Sequence, residues 1–210
     1  HDRAQYLLAK RDYTFSLRGL RYRAMVFRLI LAALSRRVPP ASPSPNLLRC
    51  QGEDTYWGHG VTVCAICDGI FYSGKKAIVV GGGDTAMEDA SFMTKYTNDI
   101  TIIHILDKLT AAPIMQERIL NKQQVKIIYS STVTEIKGDG KKVTEIVVTN
   151  IQTQNRTVLP ADVLFLAIGQ KPNNAIFKGQ LELTSLGHIA IKSNTQTSLE
   201  GVFVAGDVAD

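Results

Sequence analysis

The sequence predicts an α/β fold in which a parallel sheet with helical crossovers is joined to a β-meander, and three observations predict it. The β-branched run Ala77 to Val80 enters a glycine turn, and an amphipathic segment from Thr85 to Tyr96 leaves it. A second apolar β-branched run, Asp99 to His104, is followed by helix-spaced Ile114, Met115, Ile119 and Leu120 within Ala111 to Lys122. Then Val125 to Tyr129, Thr132 to Lys137 and Lys142 to Asn150 read as strands, the last two meeting at the hairpin turn Gly138-Asp139-Gly140.

Taken from the start, residues 1–18 show no clean period and no cap. Leu20 to Arg37 predicts a helix of about four turns, stopped by Pro39, Pro40, Pro43 and Pro45, which form an extended linker. Its apolar run is interrupted by Arg28 and is too short to span a bilayer. Residues 1–50 hold ten Lys or Arg against two Asp, whereas the remaining 160 hold fourteen basic against seventeen acidic residues. The basic balance therefore belongs to the first fifty residues alone, and no nucleic acid or membrane partner is expected. An Arg-rich, acid-poor beginning is also the composition of a transit peptide or membrane-surface helix. Three cysteines, two in one motif, argue for a reducing compartment. The cytoplasm is expected, or an organelle if the basic segment is a transit peptide.

Cys64 and Cys67 form C-x-x-C, with Asp68 directly after. If a helix begins there, its N-terminus stabilises a thiolate on Cys64, and the spacing allows a reversible disulfide. Asp68 is placed to pass protons to and from the sulfurs. The same spacing serves half a zinc site, with His59 as a further ligand, or two core cysteines; a four-cysteine site is excluded because Cys50 is the only other cysteine. No metal is expected.

Gly81, Gly82, Gly83, Asp84, Thr85 and Ala86 follow the Ala77 to Val80 run as a strand, tight turn and helix start. The glycines let the backbone approach a pyrophosphate and the helix N-terminus face its charge. In such a fold the end of the second strand meets the adenosine ribose, so His104 is either a cofactor contact or a satisfied strand-end histidine. Met115 reads as core. Arg156 to Pro160 and the nearly continuous apolar run Asp162 to Ile168 predict two more strands, the latter buried on both faces. Ile168 and Gly169 end that strand where nucleotides bind. Two further short strands are expected at His188 to Ile191 and Val202 to Ala205.

C-A-I-C-D-G at 64–69 followed by G-G-G-D-T-A-M-E-D-A at 81–90 resembles the low-molecular-weight thioredoxin reductases of the pyridine-nucleotide disulfide oxidoreductase group. Further matches fall in family order: A-I-G at Ala167 to Gly169 with Pro172 and Asn173, G-Q-L-E-L at Gly179 to Leu183, and G-V-F-V-A-G-D at Gly201 to Asp207. The resemblance implies a Rossmann-like NAD(P)-binding domain over residues 49–171, carrying the C-x-x-C, and a partial FAD-binding domain over 172–210. It leaves residues 1–48 as a basic arm where the family has a flavin half. The family's opening flavin turn and closing helix have no counterpart here, so the resemblance is to a form incomplete at both ends.

The resemblance implies electron flow from NADPH through FAD to Cys64 and Cys67 and on to thioredoxin, in a homodimer in the complete form. Cys67 would be the charge-transfer thiolate, Cys64 would attack thioredoxin, and Asp68 would manage the proton. Gly206 and Asp207 would lie at the flavin. Where the family pattern is H-R-R-D-x-x-R, this sequence has His104, Ile105, Leu106, Asp107, Lys108, Leu109 and Thr110. All three arginines are replaced, which weakens the expected preference for NADPH and opens the alternatives of a relative using another donor or an inactive nucleotide-binding fragment.

Overall fold

A computed structural model describes residues 44–206, 208 and 209. The helix expected at Leu20 to Arg37 and Asp207, expected at the flavin, lie outside the described residues. In chain order the elements are β1 (Ser44–Pro45), α1 (Glu53–Tyr56), β2 (Val61–Thr62), α2 (Ala65–Asp68), a 3-10 turn (Gly69–Tyr72), β3 (Ala77–Val80) and α3 (Asp84–Met93). They continue with β4 (Ile100–Ile103), α4 (Pro113–Leu120), β5 (Val125–Ile128), β6 (Ser131–Gly138), β7 (Val143–Asn150), β8 (Arg156–Pro160), β9 (Val163–Leu166) and β10 (Gln170–Lys171).

The parallel sheet has the order β2-β9-β3-β4-β5, and the antiparallel meander is β6-β7-β8. Both faces of the parallel sheet are covered, which is why its strands read as unbroken apolar runs. Val79, Ile100, Ile102, Val163 and Phe165 face one core with Ala86, Met87, Ala90 and Met93 of α3. Ile78, Val80, Ile103, Leu164 and Leu166 face a second core with Val133, Ile136, Ile146 and Val148 of the meander. The period of two along β3 thus sends alternate residues into two cores.

α3 starts one residue before the sequence expectation, at Asp84, and the other three helix ends fall inside it for local reasons. α3 stops at Met93, not Tyr96, where the Thr94 hydroxyl donates to Ser91 O at 2.8 Å. α4 begins at Pro113, whose missing N–H costs nothing in a first turn. The predicted hairpin turn forms, with Lys141 and Lys142 N–H groups donating to Asp139 Oδ1 at 2.8 and 2.9 Å. The strands expected at His188 to Ile191 and Val202 to Ala205 do not form ladders: Ile189 and Phe203 make isolated bridges only.

One pairing joins distant parts of the chain. β1 lies antiparallel to β10, and Asn46 adds two bonds, its N–H to Gly169 O at 3.0 Å and its Nδ2 to Ile168 O at 3.1 Å. Just beyond, the buried carboxylate of Glu53 accepts the Leu48 and Arg49 N–H groups at 2.9 and 2.6 Å. Asn46 is thus held just beyond the C-terminal end of β9, and residues 48 and 49 are held against α1.

Candidate functional site

Cys64 and Cys67 are joined in a disulfide with Cα atoms 5.3 Å apart. Cys64 is the N-cap of α2, and its sulfur accepts the Cys67 N–H at 3.1 Å. A backbone donor aimed at this sulfur favours the thiolate form of Cys64 once the bond is reduced. Cys67 is exposed, and Cys64 and Asp68 are half-buried. Asp68 is not free to wander: the Thr62 hydroxyl donates to its Oδ2 at 2.5 Å. Thr62 Oγ1 in turn accepts the Cys64 N–H at 3.4 Å. The sulfurs bond each other, and among the described residues no cluster of three or more His, Cys, Asp or Glu could hold a metal ion.

The helix bearing the disulfide docks on α3. Ala65 is fully buried among Ala86, Met87, Ala90 and Met93. Directly after α2, a Cβ on Gly69 would meet Met93 Sδ at 2.7 Å, so a larger residue there would have to displace the Met93 side chain. On the outward side Ile66, Ile70 and Phe71 are exposed, Phe71 by 78% and Ile66 by 70%. An apolar rim therefore surrounds the dithiol.

The other end of α3 opens on a cavity of about 550 Å³, bounded by Gly81, Gly82, Gly83, Thr85, His104, Ile105, Thr110, Ile168 and Gly169. Two of the three glycines are required by the protein itself. Gly81 has φ 141°, and a Cβ there would lie 2.2 Å from Ala167 O; a Cβ on Gly82 would lie 2.5 Å from the His104 ring. Gly83 is different, since its Cβ would meet only Thr110 Oγ1 at 3.9 Å, leaving the backbone at the helix start open to a ligand. Thr110 and Ala111 N–H groups grip Gly82 O at 2.8 and 2.9 Å and fix the turn.

His104 is 6% exposed, and its Nε2 is buried with no partner. Burial holds its pKa below the ordinary histidine value, against a hydrogen bond from the ring to the Lys108 backbone. A neutral imidazole with an unused nitrogen lining this cavity suits a ligand's hydroxyl or amide. The residues present thus fit a nicotinamide dinucleotide: an open glycine backbone, an orphaned polar atom and adequate volume.

Not every expected residue lines the cavity. Asp84 Oδ1 accepts the Ala112 N–H at 2.7 Å and so ties the start of α3 to the residue before α4, and Ala86 is fully buried in the helix-side core. Gly206 is exposed, with open space around the position of its Cβ.

Residues 39–210 match the family described as pyridine nucleotide-disulphide oxidoreductase. The chain belongs to that family. It is 42% identical over 171 residues to the thioredoxin reductase of Neurospora crassa, covering 80% of this chain and 51% of that protein. It is 39% identical over 170 residues to the mitochondrial thioredoxin reductase of Kluyveromyces lactis, covering 80% and 49%. Among solved structures, the Lactococcus lactis thioredoxin reductase in its FR conformation matches with a TM-score of 0.74 at 33% identity, over 80% of this chain and 55% of that one. The chain spans about half the length of the curated relatives it matches.

Within this pyridine nucleotide-disulphide oxidoreductase domain, sequence reasoning missed three participants. Thr62 holds Asp68, and Leu47 and Leu48 line the glycine-turn cavity from the β1 side. Only the alternation of Val61 and Thr62 beside the C-x-x-C hinted that a strand hydroxyl would point at the dithiol. The bonds that bring Leu47 and Leu48 to Gly169 span more than a hundred residues and leave no local pattern.

Proposed function

We propose that this chain carries the nicotinamide-binding and disulfide-bearing part of a thioredoxin-disulfide reductase, which passes electrons from NAD(P)H through FAD to Cys64 and Cys67 and on to thioredoxin. The observation that carries the reading is that both devices rest on one helix. α3 opens the dinucleotide cavity at Gly83 and supports the disulfide helix through Ala86, Met87, Ala90 and Met93.

The cofactors supply hydride and electron transfer; the chain's own residues manage the sulfur chemistry. In the reduced dithiol, Cys64, favoured as thiolate by the Cys67 N–H, attacks the disulfide of thioredoxin and forms a mixed disulfide. Cys67 then attacks Cys64 Sγ, re-forming the Cys64–Cys67 bond and releasing the thioredoxin dithiol. Asp68, aimed by Thr62, gives the proton to the leaving sulfur and takes one from Cys67. Ile66, Ile70 and Phe71 offer the apolar rim on which thioredoxin docks. Thioredoxin lies at about −270 mV, so the Cys64–Cys67 pair must sit near or below that potential to reduce it.

His104, Gly83, Thr85 and Gly169 hold the nicotinamide dinucleotide. Ile105 and Leu106, exposed by 51 and 45%, stand at the end of β4, where a 2′-phosphate needs cations. This favours a second reading for the donor, namely a dinucleotide without that phosphate, or another reductant. Gly206 and Asp207 are the residues assigned to the flavin, and the complete enzyme is proposed to be a homodimer in a reducing compartment. No described helix is long and apolar enough to cross a membrane.

The test is a trapping experiment. Cys67→Ser, incubated with oxidised thioredoxin and quenched with iodoacetamide to alkylate the thioredoxin thiol set free, should yield a mixed disulfide through Cys64, seen as a mass shift lost on reduction. If neither C67S nor C64S yields that adduct, thioredoxin is not the acceptor.

A further inference from the structure

The mechanism leaves one buried acid beside the dithiol unused. Asp89 lies on α3, is 7% exposed, and has one carboxyl oxygen buried without any partner. The backbone N–H of Ala65, the residue directly after Cys64, lies close enough to act on this carboxyl. A solvated helix face would not require such burial, and its neighbour Glu88 is exposed as expected of one. Burial first, and the charge of Glu88 further, push the Asp89 carboxyl up to about 6, against the Ala65 N–H. The charged groups on elements packed against α3 are Asp68 on α2 and Glu117 and Arg118 on α4, with none on β3 or β4; Asp84 and Glu88 share α3 itself. None of these forms an ion pair with Asp89 among the described residues.

We propose that Asp89 is a positioning residue for the Cys64–Cys67 dithiol: it fixes the first turn of α2 from beneath through Ala65, and its charge sets how readily Cys64 becomes a thiolate. Neutral, it leaves the Cys67 N–H unopposed in stabilising the Cys64 sulfur. Ionised, it places a negative charge under the same turn and disfavours a second one on Cys64. Acid and thiol therefore titrate as a coupled pair. This inference rests on the redox reading of the dithiol given above.

The experiment uses the full chain with dithiothreitol as reductant. The dithiol of dithiothreitol gives up two electrons and two protons and closes to its own disulfide; the Cys64–Cys67 bond breaks and takes both. Cys64 then loses its proton to water. The rate of iodoacetamide alkylation at Cys64, resolved by mass spectrometry, is measured from pH 5 to 9 in the unmodified chain and in Asp89→Asn, which keeps an acceptor for Ala65. The Cys50 thiol, pushed up to about 11, serves as a slow internal reference.

The two profiles should converge below about pH 5 and separate above about pH 6, with D89N alkylated at least about threefold faster at pH 7. Superimposed profiles overturn the proposal. Should D89N not fold, the unmodified chain decides alone: its logarithmic rate should climb less steeply where Asp89 ionises, and a single simple titration overturns the proposal. If Cys64 and Cys67 fail to re-form their bond after the reductant is removed, the redox reading falls and this inference with it. If they re-form it while the profiles coincide, only the role of Asp89 falls.

Discussion

The Thr62 hydroxyl donates to Asp68 Oδ2 at 2.5 Å while accepting the Cys64 N–H, so one strand residue ties the Asp68 carboxylate to the backbone of Cys64. Thr62→Val keeps the shape of the side chain and removes both bonds. Single-turnover reduction of thioredoxin by the pre-reduced chain, followed by stopped flow, should slow by about fivefold to tenfold, and Asp68→Asn by about 10²-fold. Thr62→Ser should restore most of the rate. If T62V matches the unmodified chain across the pH profile, Thr62 does not aim Asp68.

The three glycines of the turn separate packing from binding. Gly82→Ala puts a Cβ 2.5 Å from three atoms of the His104 ring, so the imidazole must move within its buried site. Stability should fall by about 2 kcal/mol, read by denaturant unfolding. Gly83→Val meets almost no protein, because Gly83 is extended at φ −88°, ψ −176° and its only Cβ neighbour is 3.9 Å away. Its stability should stay within about 1 kcal/mol of the parent. NAD(P)H affinity, measured by calorimetry, should fall at least about tenfold, a loss of about 1.4 kcal/mol. Unchanged affinity in G83V would place the dinucleotide elsewhere.

These two cases also mark what the sequence could disclose. The β3 and β9 runs are legible because both their faces are buried, and C-x-x-C and the glycine turn are legible because spacing carries their chemistry. Asp89 and Thr62 are not. Asp89 follows Glu88 on an amphipathic helix and reads as solvated until α2 is docked on it. Thr62 is one β-branched residue in a two-residue strand, and its partner is known only once the chain turns at Cys64. The short segments around Ile189 and Phe203 err in the opposite direction. Their composition suits strands, but strand propensity needs a paired neighbour, and they form only isolated bridges.

Ile105 and Leu106 make the donor preference testable. Each charge-assisted contact to a phosphate contributes roughly 1.5 to 3 kcal/mol, and neither side chain can make one. The unmodified chain should bind NADPH and NADH within about tenfold of each other. The double substitution I105R/L106R should tighten NADPH by at least about tenfold and leave NADH nearly unchanged. Both residues are exposed, so the change is tolerated by the fold. A strong NADPH preference in the unmodified chain would point to another cation at the 2′-phosphate.

Asp89 gives a pH dependence of stability whose sign is fixed by its environment. Its carboxyl is raised from 3.8 to about 6 on folding, so between these values the native state binds more protons than the unfolded chain. The contribution is fully present below the unfolded pKa and is lost as pH rises through the folded one. Unfolding free energy should therefore decline from about pH 4 to about pH 6 and then level, by up to about 3 kcal/mol. Asp89→Asn cannot ionise and should remove that slope, so above pH 6 it should be the more stable protein. Denaturant titrations at pH 4.5, 6 and 8 check this directly. Equal slopes in the two proteins would mean that Asp89 ionises in the native state as easily as in the unfolded one.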